Sequence, residues 1–196
     1  MKTVNNRTTQ YDIDDVFLNR YSPRAMSGEP VSQLEIMTLL EAARWAPSAS
    51  NIQPWRFLYA IRGTADFDLF LSFLMEGNQI WCKNAGAFII VLSKKNTDDG
   101  KPNGTHSFDA GSAWENLALQ GANMKLVVHG MAGYNAEPLK KELSIKDEYN
   151  VELMIAIGKP GKIEDLPEYL REREQPSQRK GLEEIAFEGK EGAKQL

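Results

Sequence analysis

Cysteine and histidine are nearly missing from this chain of 196 residues, which holds one cysteine, Cys82, and two histidines, His106 and His129. A single thiol cannot close an internal disulfide, and one thiol with two imidazoles makes no ligand set of zinc or iron–sulfur type. Cys82, between Trp81 and Lys83, has no base beside it and reads as structural. Long apolar runs are also missing: none reaches the roughly 20 residues that cross a bilayer. The polar stretch MKTVNNRTTQ has no signal-type apolar core. The expectation is a cytoplasmic location and no membrane partner. Basic charge is in short supply, with 23 Lys and Arg against 27 Asp and Glu, a net charge of −4 and a pI near 5.3. A general nucleic-acid surface needs a basic face to displace counterions, so no nucleic-acid partner is expected and any phosphate site must be local. No Gly-x-Gly-x-x-Gly follows a candidate strand, and there is no Walker A loop. The absence of a Gly-x-Ser-x-Gly elbow removes the usual serine hydrolase signal.

What is present, 42% hydrophobic residues without repeats or low-complexity blocks, fits one domain over 1–196 with room for a core. The clearest local signal precedes a polar loop. Ser32 and Glu35 have capping-box spacing, with Val31 and Ile36 as the staple. Ile36, Leu39, Leu40 and Ala43 then recur on one helical face, and Pro47 ends the helix. Ser48, Ser50, Asn51 and Gln53 follow, a set of hydroxyls and carboxamides that can donate and accept in one plane. A ligand loop accounts for this composition; an ordinary solvated turn does so equally.

Upstream, 12–19 reads as a short helix with Ile13, Val16 and Phe17 on one face. It leads into Arg20-Tyr21-Ser22-Pro23-Arg24, where Pro23 favours an extended path. Two forked guanidiniums and a hydroxyl in five residues suit a phosphate. A solvated basic helix end is the alternative, because cations complement a helix C-terminus.

Downstream, 55–61 reads as a central strand. Thr64 should cap a helix burying Phe67, Phe70, Leu71 and Leu74 and ending at Gly77, and 86–92 is a buried strand. The small residues within 108–126 predict a helix that approaches its neighbours closely. Strands are expected at 127–132 and 149–157, separated by a helix capped at Asn135. His129 reads as a satisfied interior or interface histidine.

Residues 44 to 57, RWAPSASNIQPWRF, resemble the signature loop of the FMN-dependent nitroreductase family, and 20–24 is similar to that family's Arg-x-Ser-x-Arg/Lys element. Gly158-Lys159-Pro160 and the tail stretch QRKGLEEI, 178–185, also resemble family segments, with Gly181 in place of a proline. The likeness runs from Arg20 to the tail. It implies an α+β fold with a mostly antiparallel central sheet flanked by helices, in an intertwined homodimer whose 160–196 extension reaches the partner subunit. It implies FMN as cofactor and NADH or NADPH as donor. The implied cofactor set is Arg20, Tyr21, Ser22, Arg24, Pro47, Ser48, Ala49, Asn51, Gln53, Asn78, Met131, Ala132, Gly133 and Arg179. In it the arginines and Ser22 serve the phosphate, while the carboxamides and the main chain of 131–133 serve the ring. Relatives often carry Glu where this chain has Ala132. The implied activity is ping-pong reduction of nitroaromatics, quinones or related small electron acceptors, with hydride chemistry on the cofactor and no side chain as obligate acid or base. A flavin-binding or scaffold protein of the same fold without efficient turnover, and a flavin-dependent dehalogenase, remain alternatives.

Overall fold

The computed structural model describes residues 3–194. A two-stranded hairpin, β1 (Thr3–Val4) and β2 (Arg7–Thr8), precedes α1 (Asp15–Asn19) and α2 (Gln33–Arg44). Then come β3 (Trp55–Ile61), α3 (Ala65–Phe73), α4 (Glu76–Cys82), β4 (Ala87–Lys94) and α5 (His106–Asn123). The order closes with β5 (Val127–Met131), α6 (Ala136–Glu142), β6 (Tyr149–Gly158), α7 (Glu168–Arg171) and α8 (Gly189–Ala193). The main sheet has the order β3-β4-β6-β5 and every pair in it is antiparallel. The expected mostly antiparallel α+β fold is therefore present.

The two inner strands are buried on both faces over 87–93 and 154–158, which explains the apolar runs at 87–92 and 153–157. Phe88, Ile90, Leu92, Met154 and Ala156 join one core with Phe67, Phe70 and Phe73 of α3 and with Leu166 and Leu170. Ala87, Ile89, Val91, Ile155 and Ile157 join a second core with Ile36, Leu39 and Ala43 of α2 and Ala113 and Leu117 of α5. Successive strand residues point to opposite faces, so one strand feeds both cores. Gly121 lets α5 approach β5: a Cβ there would sit 2.3 Å from Val128 Cγ2. A bulge between Val91 and Leu92 leaves Glu152 of β6 without a cross-strand partner. Its carboxylate accepts hydrogen bonds from Ser93 and, at 2.7 Å, from Ser107, tying the first turn of α5 to the sheet.

Local signals place most elements. The Ser32 capping box closes in both directions: Ser32 Oγ accepts from the Glu35 amide, and Glu35 accepts from the Ser32 amide at 2.8 Å. Thr64 caps α3 as its position predicts. Three expectations are corrected. The helix expected at 12–19 begins only at Asp15, because Asp14 caps it, and it buries Leu18 while Ile13 and Phe17 stay exposed. The segment 55–61 forms a strand as expected, but at the sheet edge rather than its centre, with Arg56 and Tyr59 outward. Gly77 does not end α3, which stops at Phe73; it lies inside α4, a separate helix of seven residues. No helix among the described residues is long and apolar enough to cross a membrane.

Candidate functional site

The extended stretch after α1 is held from three sides. The Ala25 carbonyl accepts from the Gly161 amide, the Lys159 carbonyl accepts from the Ser27 amide, and Met26 bridges Pro160. A Cβ at Gly161 would lie 2.4 Å from the Met26 carbonyl carbon, so only glycine allows this approach. From the tail, buried Glu174 accepts the Arg24 and Ala25 amides on Oε1, at 2.6 and 2.7 Å. The outcome is a rigid strip whose side chains face a cavity of about 570 Å³.

Five guanidiniums line that cavity, those of Arg7, Arg20, Arg24, Arg173 and Arg179, together with Tyr21, Ser22 and His129. Glu172 is its one acidic lining residue. Arg20 Nη1 lies 3.5 Å from Ser22 Oγ. Arg7 is buried and spends its donors on carbonyls, of Leu18 and Arg20 through Nη1 and of Ser177 through Nε. Burial, then the neighbouring charges of Arg179 and Arg20, push the Arg7 guanidinium below its ordinary pKa. Cations that repel one another around one cavity are relieved by a bound anion. The structure thus brings together Arg20, Tyr21, Ser22, Arg24 and Arg179 of the sequence-derived set.

His129 of β5 closes one wall. Its Nδ1 donates to the Pro23 carbonyl at 2.9 Å and its ring packs on Trp81, with centroids 4.7 Å apart. Burial lowers its pKa to about 4, with Arg24 acting in the same direction against the Pro23 and Ser22 carbonyls. Two residues beyond, buried Met131 ends the strand and the chain turns through exposed Ala132 to Gly133. Asn78 of α4 donates from Nδ2 to the Gly133 carbonyl at 3.0 Å, so these two members of the set are joined directly. Buried Cys82 has its thiol pKa pushed far up by burial and contacts Met131 Sδ, in keeping with a structural role.

The loop of Pro47, Ser48, Ala49, Asn51 and Gln53 lies elsewhere: none of these residues lines the arginine cavity. Ser50, Asn51 and Gln53 have φ of +49°, +56° and +52°. Non-glycine residues held there cost on the order of 1–3 kcal/mol each and concentrate at functional sites. The Gln53 amide donates to Ser48 Oγ at 3.0 Å, and Gln53 Nε2 to the Asn51 carbonyl at 2.9 Å. The Ala49 amide points to buried Asp109 of α5, 3.3 Å from Oδ2.

Sequence reasoning missed Arg7, Arg173, Glu174 and Asp109. Arg7 and Glu174 sit in polar stretches with no pattern to separate them from solvated charges. Asp109 was recognisable only as an acid in the first turn of a helix.

A Nitroreductase family sequence model matches residues 18–69 of the chain, which hold the arginine strip and the left-handed loop. A crystal structure described as that of an oxidoreductase containing FMN is 46% identical, with a TM-score of 0.93 over 97% of this chain and 98% of that one. A nitrobenzene nitroreductase from Ectopseudomonas oleovorans is 45% identical over 53 residues, 27% of this chain and only 23% of that relative's length. A nitroreductase family protein from Streptococcus pneumoniae TIGR4, 18% identical with a TM-score of 0.71, shares the fold.

Proposed function

The chain belongs to the nitroreductase family, and from that we propose that it is an FMN-dependent oxidoreductase using NADH or NADPH to reduce a small electron acceptor, a nitroaromatic or a quinone, in ping-pong order. The observation that carries this reading is the gathering of five arginines and Ser22 around one cavity in a protein of negative net charge. That donor set fits a phosphate monoester, which accepts forked and single donors on three oxygens.

Arg20, Ser22, Arg24 and Arg179 would hold the phosphate of FMN, with Arg7 adding positive potential from behind. Asn78 stands against the Gly133 turn, and the peptide groups of Met131, Ala132 and Gly133 would flank the ring through the main chain. Because that contact needs no side chain, Ala132 in place of Glu leaves it available. When bound, FMN supplies hydride acceptance and delivery at N5. The residues of the chain bind, orient and exclude water.

Ser48, Asn51 and Gln53 of the left-handed loop would serve the ring from a second copy of the chain. The loop does not line the arginine cavity of its own chain, and Tyr11, Phe17, Trp45, Phe108 and Ile185 are large apolar residues at least half exposed. We therefore read the protein as a homodimer with two cofactor sites between subunits, the 160–196 tail contributing to the partner contact.

The test is the visible spectrum of the purified protein, followed by anaerobic addition of NADH or NADPH. Flavin absorbance bleached by either nucleotide supports the enzyme. A flavin spectrum that neither nucleotide bleaches favours a binding protein without turnover, and protein that cannot be loaded with FMN overturns the reading.

A further inference from the structure

Asp109 stands where a helix, a strained loop and the protein interior meet. It lies in the first turn of α5, an 18-residue helix, and is only 3% exposed. Its carboxylate takes the Ala49 amide between its two oxygens, at 3.4 Å from Oδ1 and 3.3 Å from Oδ2, and the Thr105 hydroxyl reaches Oδ2 at 3.0 Å. That hydroxyl also faces Asn103 Oδ1 at 3.0 Å, so its one proton is shared. The Ala49 amide is then the one donor committed to this carboxylate from outside its own helix turn. A buried carboxylate short of donors holds tightly to those it has, because the alternative is an unsolvated charge.

The loop has the complementary need. Ser50, Asn51 and Gln53 lie in the left-handed region without being glycine. The bonds that Gln53 donates to Ser48 and Asn51 close the loop on itself, but they do not fix it against the rest of the fold. The Ala49 bond does, from within the run. A second tie from the same helix, Asn116 Nδ2 to the Ala42 carbonyl at 3.2 Å, secures the end of α2 just before the loop begins. One face of α5 thus sets both the entry and the body of the loop.

We infer that Asp109 is the positioning residue for the ring-side loop, fixing the Ala49 peptide so that the polar groups of Ser48, Asn51 and Gln53 are presented in one geometry. The inference rests on the FMN reading above. It assigns Asp109 a role at the ring end of the cofactor and none at the phosphate end.

Two measurements separate this role from a general structural one. Amide hydrogen exchange across 47–54, read with and without FMN, reports loop order independently of turnover. Paired titrations with FMN and with riboflavin, which lacks the phosphate, report which end of the ligand has lost its support. Asp109→Ala is expected to speed exchange in the loop about tenfold or more and to weaken FMN and riboflavin by the same factor, roughly tenfold, the loss of one charge-assisted hydrogen bond. Asp109→Asn, which keeps one acceptor oxygen, is expected to recover most of both. Thr105→Val, which removes only the shared hydroxyl, is expected to have a smaller effect in the same direction and serves if Asp109→Ala does not fold. Unchanged loop exchange in Asp109→Ala, or weaker FMN with riboflavin unaffected, overturns the inference. Wild-type protein that binds neither flavin removes the functional reading instead and leaves loop exchange to decide the anchoring alone.

Discussion

Glu174 and Arg24 meet twice: Glu174 Oε1 accepts the Arg24 amide at 2.6 Å, and Oε2 lies 4.0 Å from the Arg24 guanidinium. The same Oε1 takes the Ala25 amide, while Oε2 is buried with no hydrogen-bond partner among the described residues. One carboxylate from the tail therefore fixes the backbone that carries the arginine strip and biases one of its side chains. Glu174→Ala would strand two amides, at a cost of about 2–6 kcal/mol, from roughly 1–3 kcal/mol for each unsatisfied group. Glu174→Gln, which keeps a carbonyl oxygen for the two amides, should lose less than half of that. Urea unfolding of the two variants checks the order, and equal losses would mean that the charge, rather than the acceptor, is what matters.

Arg20→Ala should weaken FMN binding ten- to a hundredfold, since a hydrogen bond to a charged group contributes roughly 1.5–3 kcal/mol. Its ion pair with Glu115, at 3.7 Å, is long and the Glu115 side chain is half exposed, so it adds little. Saturated with FMN, the variant should regain most of its reduction rate, because the lost group holds the cofactor and moves no proton. Fluorescence titration into deflavinated protein measures the first effect and stopped-flow reduction the second. A dissociation constant equal to the wild type's removes Arg20 from the site.

Two glycines give opposite expectations. At Gly121 a Cβ would meet Val128 Cγ2 at 2.3 Å and Leu39 at 3.6 Å, both in the core, so Gly121→Ala should cost about 1–3 kcal/mol through overpacking. At Gly133 the Cβ would meet Asn78 Nδ2 at 2.6 Å, the free end of a side chain that can swing aside. Gly133→Ala should cost less than about 1 kcal/mol in stability and yet shift the flavin absorbance band, because Asn78 leaves the Gly133 carbonyl. Thermal unfolding and visible spectra of the two variants test the contrast; an unaltered spectrum in Gly133→Ala would detach this turn from the cofactor.

His129 gives the stability a pH dependence whose sign is fixed. Its folded pKa, about 4, lies below the ordinary 6.5, so in this interval the unfolded chain binds the proton and the folded chain does not. The contribution is complete above pH 6.5 and is lost as pH falls toward 4, by on the order of 3 kcal/mol in total. Unfolding free energies at pH 7.5 and 4.5 should differ more in wild type than in His129→Gln. If both proteins lose the same amount, the carboxylates account for the acid sensitivity and the histidine does not.

Strand positions were legible because β4 and the second half of β6 are covered on both faces and so carry continuous apolar runs. The edge position of β3 was not, since WRFLYAI looks apolar in one dimension while Arg56 on one face and Tyr59 on the other reach solvent in three. Helix α4 was hidden because Met75 offers no side-chain cap and Gly77 reads as a stop. In the site, Arg20, Ser22 and Arg24 sit in one short pattern and could be found. Glu174 and Asp109 could not, because the groups they hold are 150 and 60 positions away and neither leaves a local trace. What distinguishes them is burial, which a charged residue in a polar stretch does not announce.

The arginine cavity is stitched from distant pieces: Arg7 donates to the Ser177 carbonyl across 170 positions, and Arg179 stands beside it. All four strands of the main sheet lie before Lys159. During synthesis, then, a chain halted ahead of Ser177 can hold its complete sheet and both apolar cores while lacking the far wall of its anion site. The far wall of the cavity is therefore completed only when the stretch from Ser177 onward docks against β2.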